Sequence, residues 1–413
     1  MTLHQGSRVP DPAPISEPPT LALHKPRLVG VDVARGLALL GMLAVHVFPL
    51  FNGDDEPTMA TTLAAGRSAA TFVLVAGVGV AFLAGGRRPV RGSDRRGVAA
   101  GLAVRAVLIG LLGLILGLLS DYNDVSGILP YYGLFFLLAI PLLWARPEVL
   151  AGLAAATMVL GPLLLVSTLD VDWPTPGLDA DPVPETLLED PLGLLTLLSV
   201  TGEYPAVVYL AYLCAGLAIG RLDLSSRRLA GWLLGAGAGL AVAAQLAGLA
   251  LLRPLGGLAV LVAEVDSDDS RSEIVRKLLW DPDRSSSSWY LALPAPHSHS
   301  IVDVAHTLGS AMAVLGAALL VTRVPAIARL LRPLAAAGSM ALTLYSAHLV
   351  VLATGLLEDR PGLLYLLMVV GALWFASAWQ TGIGQGPLER IVSRAAGAAR
   401  RAVSGTAHSG TAR

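Results

Sequence analysis

The sequence predicts an all-α polytopic membrane protein with about ten transmembrane helices. Hydrophobic residues make up 54% of the 413-residue chain and charged residues only 14%, whereas charged residues are about 25% of a typical soluble domain. Apolar runs of about 20 residues, the length that crosses a bilayer as a helix, recur along the whole chain. A net charge of −1 offers no basic field for nucleic acid, and the single cysteine, Cys214, excludes an internal disulfide.

Ten apolar segments are predicted to span the membrane as one helical bundle over residues 28–384. They lie at about 28–51, 66–85, 98–120, 127–145, 148–169, 204–220, 229–252, 301–322, 334–357 and 362–381. The Pro-rich residues 1–27 before the bundle are expected to be a disordered tail and not a signal peptide. The Arg-rich residues 385–413 after it are expected to be a second tail.

The charges of the connecting segments predict the orientation. Basic segments fall on one face of the bundle, at 24–27, 87–96, 144–148, 221–228, 323–333 and the C-terminus. Mostly acidic segments fall on the other face, at 53–57, 120–124, 170–203, 265–299 and 358–361. Because positively charged loops stay on the cytoplasmic side, we expect a plasma-membrane protein with both termini in the cytoplasm. The long segments 170–203 and 265–299 are either a lid over the outer mouth or plain polar connectors.

The first span carries ionisable side chains on one face. Arg35 and His46 are eleven residues apart, which is three helical turns plus about 20°, and Asp32 lies one turn before Arg35. Charges that face lipid are costly, so this face is expected to point toward protein or water. A rise of about 16 Å places Asp32 and Arg35 near the cytoplasmic boundary and His46 near the outer one. For Asp32 and Arg35 an anchoring ion pair is an equally open interpretation.

Other polar side chains are expected at the depth of His46. In the eighth span, Asp303 and His306 lie on one helical face, and His348 lies in the outer half of the ninth span. A histidine with a carboxylate partner is a natural general base, so His46, His348, His306 and Asp303 are the candidate catalytic residues. Isolated buried histidines are more often hydrogen-bonded core residues, an interpretation that three at one depth weaken. The spacing of His299, Asp303 and His306 would allow a divalent metal, but no HExxH-type pattern is present, so no metal is expected.

Two further groups of residues are candidate binding sites. Arg87 and Arg88 belong to five arginines in 87–96, which with Arg105 form a cytoplasmic positive mouth. Such clusters are either topology signals and lipid contacts or binding sites for a phosphorylated ligand. The candidate acceptor-binding residues are Glu203, at the outer start of the sixth span, and Ser339, Thr343 and Ser346, a polar stripe on the ninth.

Several stretches resemble a known family. The stretch RLVGVDVARGLALLGMLAVHVF (27–48), followed by TFVLVAGVGVAFL (71–83), resembles the opening of the heparan-α-glucosaminide N-acetyltransferase-like family. The spacing Arg35-x10-His46 is similar to a pattern of the type-three membrane acyltransferases. The stretches LAAAGSMALTLYSAHLVV (334–351) and GPLERIV (386–392) resemble the C-terminal region of bacterial members. The chain departs from the lysosomal members in one respect, since its loop GDDEPTMATT lacks their histidine.

The resemblance implies an acyltransferase that moves an acyl group, typically acetyl, from cytoplasmic acyl-CoA to a hydroxyl or amine of a sugar or glycan at the outer face. The phosphates of CoA would then meet Arg35, beside Asp32, together with Arg105, Arg87 and Arg88. His46 would activate the acceptor, with His348 or His306 as a substitute, and both direct transfer and an acyl-histidine intermediate stay open. A homodimer in the bilayer is compatible with the resemblance.

Two other functions stay in view. The first is a proton-coupled transporter of a small polar or lipid-linked solute, in which histidine and aspartate would relay protons. Against it, the sequence gives no sign of an inverted repeat or of a matched pair of broken helices. The second is a non-catalytic protein that assists assembly of an envelope enzyme, which would tolerate loss of His46.

Overall fold

The structure is a computed structural model, and it describes residues 28–90, 92, 94–120, 125–175 and 181–409, the last five as backbone alone. The predicted tail 1–27 and the acidic connection at 121–124 lie outside those residues. The helices are α1 Val29–Val47, α2 Met59–Ala64, α3 Arg67–Leu83, α4 Asp94–Gly117, α5 Leu129–Ala139, α6 Pro147–Ser167, α7 Pro184–Glu189, α8 Pro191–Thr196, α9 Ala206–Gly220, α10 Arg227–Leu252, α11 Gly257–Glu264, α12 Arg271–Trp280, α13 Ile301–Val321, α14 Pro325–Leu330, α15 Arg332–Ser339, α16 Ala341–Leu352, α17 Pro361–Gly382 and α18 Pro387–Ser409.

The predicted all-α membrane fold is confirmed. Among the described residues, seven helices are long and apolar enough to cross a membrane, and up to nine spans result if each of two bent helix pairs counts as one. The apolar helix α5 has only 11 residues, because Pro141, which has no N–H to donate, comes directly after its C-cap residue Ile140. The chain is therefore a multi-pass membrane protein, and the count of ten stays a prediction.

Two apolar segments of the described residues are each divided into a bent pair of helices, while the expectation that the chain has no matched pair of broken helices stays a prediction. The predicted ninth span is divided into α15 and α16, which meet at an angle of 83°. The segment Pro191–Thr201 meets α9 at 64°, across a connection that contains Gly202 and Pro205. The break before α16 has a tertiary cause. The carboxylate of Glu389 caps the new helix, since it accepts hydrogen bonds from Thr343 N at 3.0 Å and Thr343 Oγ1 at 2.6 Å.

The centre of the bundle is α3, which packs against α1, α9 and α13. Close approach of α3 and α9 depends on two glycines, because a Cβ at Gly77 would run into the carbonyl of Leu213 and one at Gly216 into the carbonyl of Leu74. Small residues of this kind let membrane helices pack backbone to backbone. The span Met59–Leu83 is accordingly 72% buried, against 17% for α17 at the periphery.

The basic connections meet on one face of the molecule, which we call the basic face. Arg87 pairs with Asp223 at 3.0 Å, and Arg323 donates to the carbonyl of Ser225 at 2.7 Å. The guanidinium of Arg95 lies 5.3 Å from the centre of the Trp144 ring. Contacts therefore join the predicted basic connections to one another, while the compartment that this face meets stays a prediction. Helix α18, within the segment expected as a C-terminal tail, packs along α4 on this face.

The opposite face, which we call the acidic face, carries helices in the described parts of the two long connections, α7 and α8 within residues 181–203 and α12 within 265–299. Residues 252–293 have a small core of their own, formed by Leu252, Leu261, Ile274, Leu278, Tyr290, Ala292 and Leu293. Helix α12 reaches the loop after α1, where Arg276 pairs with Asp55 and lies 4.9 Å from the centre of the Phe51 ring. Of the two interpretations open for these segments, the contacts favour a folded cover over plain connectors.

Candidate active site

Arg35 joins α1 to the end of α15. Its Nη1 donates to Asp32 Oδ1 at 3.2 Å and to the carbonyl of Gly338 at 3.3 Å. That carbonyl belongs to the last turn of a helix, where unpaired oxygens attract cations. Both hydrogen bonds are made by Nη1. The other terminal nitrogen, Nη2, lies 3.8 Å from the position that a Cβ on Gly79 would occupy. The expected ion pair is present, and one half of the guanidinium makes no hydrogen bond with the described residues.

The other candidate donor-binding arginines lie on different elements. Arg105, on α4, is within electrostatic reach of Glu389, the residue that caps α16. Arg87 and Arg88 lie exposed in the turn after α3, and Arg87 is held by Asp223. Sequence reasoning missed Glu389, and its only signal was its position in the stretch GPLERIV.

The predicted polar stripe on the ninth span is interrupted by the break at Met340. On one side of it, Ser339 donates to the carbonyl of Ala336 at 2.8 Å and accepts from Gln380 at 3.2 Å. On the other side, the hydroxyl of Thr343 is bound to Glu389. Ser346 donates to Leu342 O at 2.9 Å. Each hydroxyl therefore has a protein partner, and the three do not form one continuous face.

His46 and His348, which the sequence places at one depth together with His306, are in direct contact. Nδ1 of His46 lies 2.9 Å from Nε2 of His348, and the two rings lie edge to edge and nearly coplanar, with 15° between their planes and centroids 5.2 Å apart. Nδ1 of His348 contacts the carbonyl oxygen of Tyr345, which can only accept, so His348 donates there. Neutral His348 must then accept at Nε2 from Nδ1–H of His46. This assignment leaves the Nε2 of neutral His46 as a lone pair.

Tyr345 fixes this histidine pair and was not expected from the sequence. It is fully buried, and its ring packs edge-on at 4.7 Å from His348 and 6.5 Å from His46. Its hydroxyl accepts a hydrogen bond from Ile128 N at 3.2 Å, at the start of α5. The pair is thereby tied to three helices, α1, α16 and α5, which restrains its geometry.

His306 and Asp303 are engaged elsewhere. His306 Nε2 accepts from Arg67 Nε at 3.0 Å, and its Nδ1 lies 3.0 Å from the carbonyl of Ala241. Both ring nitrogens therefore have protein partners. The carboxylate of Asp303 accepts from the backbone N–H of His299 at 3.2 Å, within electrostatic reach of Arg67. The structure thus gives Asp303 no hydrogen bond to a histidine ring.

A polar cavity of about 730 Å³ opens between residues 126–203 and 281–299 on the acidic face. The candidate residue Glu203 lines it, and its Oε1 lies 3.1 Å from His297 Nδ1. His297 packs edge-on against Tyr204, which begins the approach to α9. Among the described residues, no group of three or more histidine, cysteine or acidic side chains could hold a metal ion.

Chemically, the arrangement provides a base without a metal ligand set. The Nε2 lone pair of His46 can take a proton, and the chain His46–His348–Tyr345 carbonyl holds the tautomer and orientation of His46, the role that a carboxylate has in a serine-protease triad, but without its negative charge. Arg35 provides a guanidinium with spare donors at the other end of the same helix.

Comparison with known proteins adds one match. A family model described as heparan-alpha-glucosaminide N-acetyltransferase, catalytic, matches residues 27–247, which is more than half of the chain. The matched range includes Arg35, His46 and Glu203, whereas His306 and His348 lie beyond it. No curated protein matches the chain.

Proposed function

Because the chain belongs to the heparan-α-glucosaminide N-acetyltransferase family of transmembrane acetyltransferases, we propose that it moves an acyl group from acyl-CoA to a sugar. In this proposal acetyl-CoA binds from the basic face, in the cytoplasm. The acceptor, a hydroxyl or amine of a sugar or glycan, arrives at the acidic face. The family name makes glucosamine the first acceptor to test.

The observation that carries this proposal is the contact between His46 and His348. Because His348 donates to a carbonyl, the pair has one defined proton arrangement, with the lone pair on His46 Nε2. A general base needs a positioned lone pair and a partner that holds its tautomer, and the pair supplies both.

In this proposal the acyl group passes directly from CoA to the acceptor in one step, with His46 as the base. His46 Nε2 takes the proton of the acceptor hydroxyl or amine as its oxygen or nitrogen attacks the thioester carbonyl carbon. The carbon–sulfur bond breaks, and the sulfur of CoA leaves with the proton that His46 received. The products are the acylated sugar and free CoA, and His46 returns to its neutral state.

Arg35 serves the donor end of the site. Its Nη2 and Nε have no hydrogen bond with the described residues, so they are suited to a phosphate or carbonyl oxygen of the donor. Arg35 and His46 are about 16 Å apart along α1, a length that an extended thioester arm can bridge. Arg105 adds positive charge on α4 beside Glu389.

The test is a sided transfer assay in proteoliposomes that are loaded with glucosamine or glucose. Radiolabelled acetyl-CoA is added outside, where it is available to molecules with their basic face outward. The proposal expects labelled acetyl-sugar to accumulate inside, and not in vesicles that contain His46→Ala. Efflux of unmodified sugar without any labelled product would contradict the proposal and favour the transporter, for which the two broken helices are the supporting feature.

A further inference from the structure

The cavity on the acidic face is lined by several negatively charged side chains. Its lining carboxylates are Asp172, Asp181, Glu203, Asp281 and Asp283. They do not converge on a metal-binding group within the described residues, so they charge the walls as a whole. One guanidinium, Arg284, is also part of the lining, but it is committed to the protein, donating to the carbonyls of Val200 at 3.1 Å and Gly202 at 2.8 Å.

A second and independent observation is the state of His299. The residue lines the cavity and is only 4% exposed, and neither of its buried ring nitrogens makes a hydrogen bond with the described residues. One side of the ring faces the backbone of Glu203 without reaching hydrogen-bond geometry. Buried polar atoms without partners are costly, so a partner from a bound molecule would offset that cost.

The backbone around His299 holds it in this position. His297 and His299 both have left-handed backbone conformations, with φ of 59° and 55°, which cost energy in residues other than glycine. The backbone N–H of His299 is tied to Asp303, and the ring packs edge-on against Tyr209 at 5.9 Å. Strained segments of this kind concentrate at binding and catalytic sites.

The charge state of the ring fits a hydroxyl partner. Burial lowers the pKa of His299 well below its ordinary value, and the nearby Arg284 and His297 lower it further. The ring is therefore neutral, with one N–H donor and one lone pair. A sugar hydroxyl can both donate and accept, and the indole of Trp173 in the same wall offers an apolar face of the kind on which sugar rings pack.

We propose that this cavity is the acceptor subsite and that it takes a neutral or amine-bearing carbohydrate while rejecting one with phosphate, sulfate or carboxylate groups. The ligand's identity as the acceptor rests on the proposed function. An anionic group in the cavity would meet five carboxylates against the single guanidinium of Arg284 among the described lining residues, and like charges placed together are strongly unfavourable. A cavity of this size suits a mono- or disaccharide.

The test compares two ligands that differ by one charged group, glucosamine and glucosamine 6-sulfate. Their binding to detergent-purified protein is measured by saturation-transfer NMR at low salt, where exposed charges are least screened. We expect glucosamine 6-sulfate to bind at least about tenfold more weakly. The double variant Asp281→Asn/Asp283→Asn should reduce that ratio by at least about threefold. His299→Phe keeps a ring in place, and it should weaken glucosamine binding about five- to tenfold.

The matched control is Glu358→Gln/Asp359→Asn, which removes two exposed acidic-face charges outside the cavity, and it should leave the ratio unchanged. Equal binding of the two sugars, binding of neither, or a ratio that Asp281→Asn/Asp283→Asn does not change would overturn the inference. The outcome is separate from that of the proposed function. Charge-selective binding without acetyl transfer would contradict the proposed acetyltransferase activity and support a carbohydrate site in the cavity. Acetyl transfer without charge-selective binding would support the activity and contradict the inference about the cavity.

Discussion

The two ends of α1 carry ionisable side chains on one face, but the protein uses them differently. At the basic end, Arg35 is clamped by Asp32 and by the carbonyl of Gly338. At the other end, His46 is bound to His348 through one ring nitrogen, and its second nitrogen is left as a lone pair. The basic end is thus mainly a joint between helices, and the His46 end retains reactive capacity.

This difference teaches where function is to be sought in a membrane bundle. Intramembrane charges are costly, so each must find a partner, and most of that requirement is met by neighbouring helices. The groups of functional interest are those that still have an unused donor or acceptor after the protein contacts are made. By that measure the lone pair of His46, the Nη2 and Nε donors of Arg35 and the ring of His299 are all of interest among the described residues.

The largest effect is expected from removing the histidine pair. His46→Ala should lower the rate of acetyl transfer by about 10² to 10⁴, the usual contribution of a general base, and leave acetyl-CoA binding unchanged. His348→Ala should act similarly because it removes the acceptor that fixes the His46 tautomer. His348→Gln, whose side-chain oxygen can accept in place of Nε2, should retain more activity. Initial rates and calorimetry of the purified variants check this, and weaker binding with an unchanged rate would move His46 to the donor end.

The next effect is expected at the other end of α1. Arg35→Ala should weaken acetyl-CoA binding by about tenfold to a hundredfold, since hydrogen bonds to a charged group are worth about 1.5–3 kcal/mol. Calorimetry with acetyl-CoA and free CoA measures the loss, and His46→Ala is the matched comparison from the same helix. Binding that survives Arg35→Ala unchanged would leave Arg35 as a purely structural joint.

The sequence predicts the fold class well because the fold class depends on composition and on the length of the apolar runs, which are local properties of the chain. It also places Asp32, Arg35 and His46 on one face, and it places His46, His306 and His348 at one depth without distinguishing which two of them are in contact. The break between α15 and α16 has one local signal, the pair Gly338–Ser339 directly before it, and no proline. It arises from tertiary contacts, the cap from Glu389 and the packing of Gly338 on α1. The partners of His306 and the orphaned ring of His299 are likewise set by residues far apart in the chain.

A smaller effect, on stability, is expected at Gly338, where α15 packs closely against α1. A Cβ at Gly338 would run into the backbone carbonyl of Asp32 and lie 2.6 Å from Gly36 N, so α15 would have to move away from α1. Gly338→Ala should therefore destabilise the protein by about 1–3 kcal/mol, measured as a lower Tm in detergent. Gly362→Ala is the control, since no atom lies within 4 Å of its added Cβ. Equal Tm changes in both variants would mean that the joint at Arg35 is loosely packed.

The smallest effect on the reaction is expected from His306, which the sequence alone cannot distinguish from His46. Both of its ring nitrogens are bound by protein, one to Arg67 and one to the carbonyl of Ala241, so it has no lone pair for an acceptor. His306→Gln keeps an oxygen for Arg67 and should change the transfer rate by less than about threefold, at a stability cost of about 0.5–1.5 kcal/mol for the altered hydrogen bond. Initial rates and Tm measured together separate the two effects. A rate loss as large as that of His46→Ala, at unchanged Tm, would show that a fully bonded histidine takes part in the chemistry, and unused bonding capacity would then no longer identify the catalytic end of the bundle.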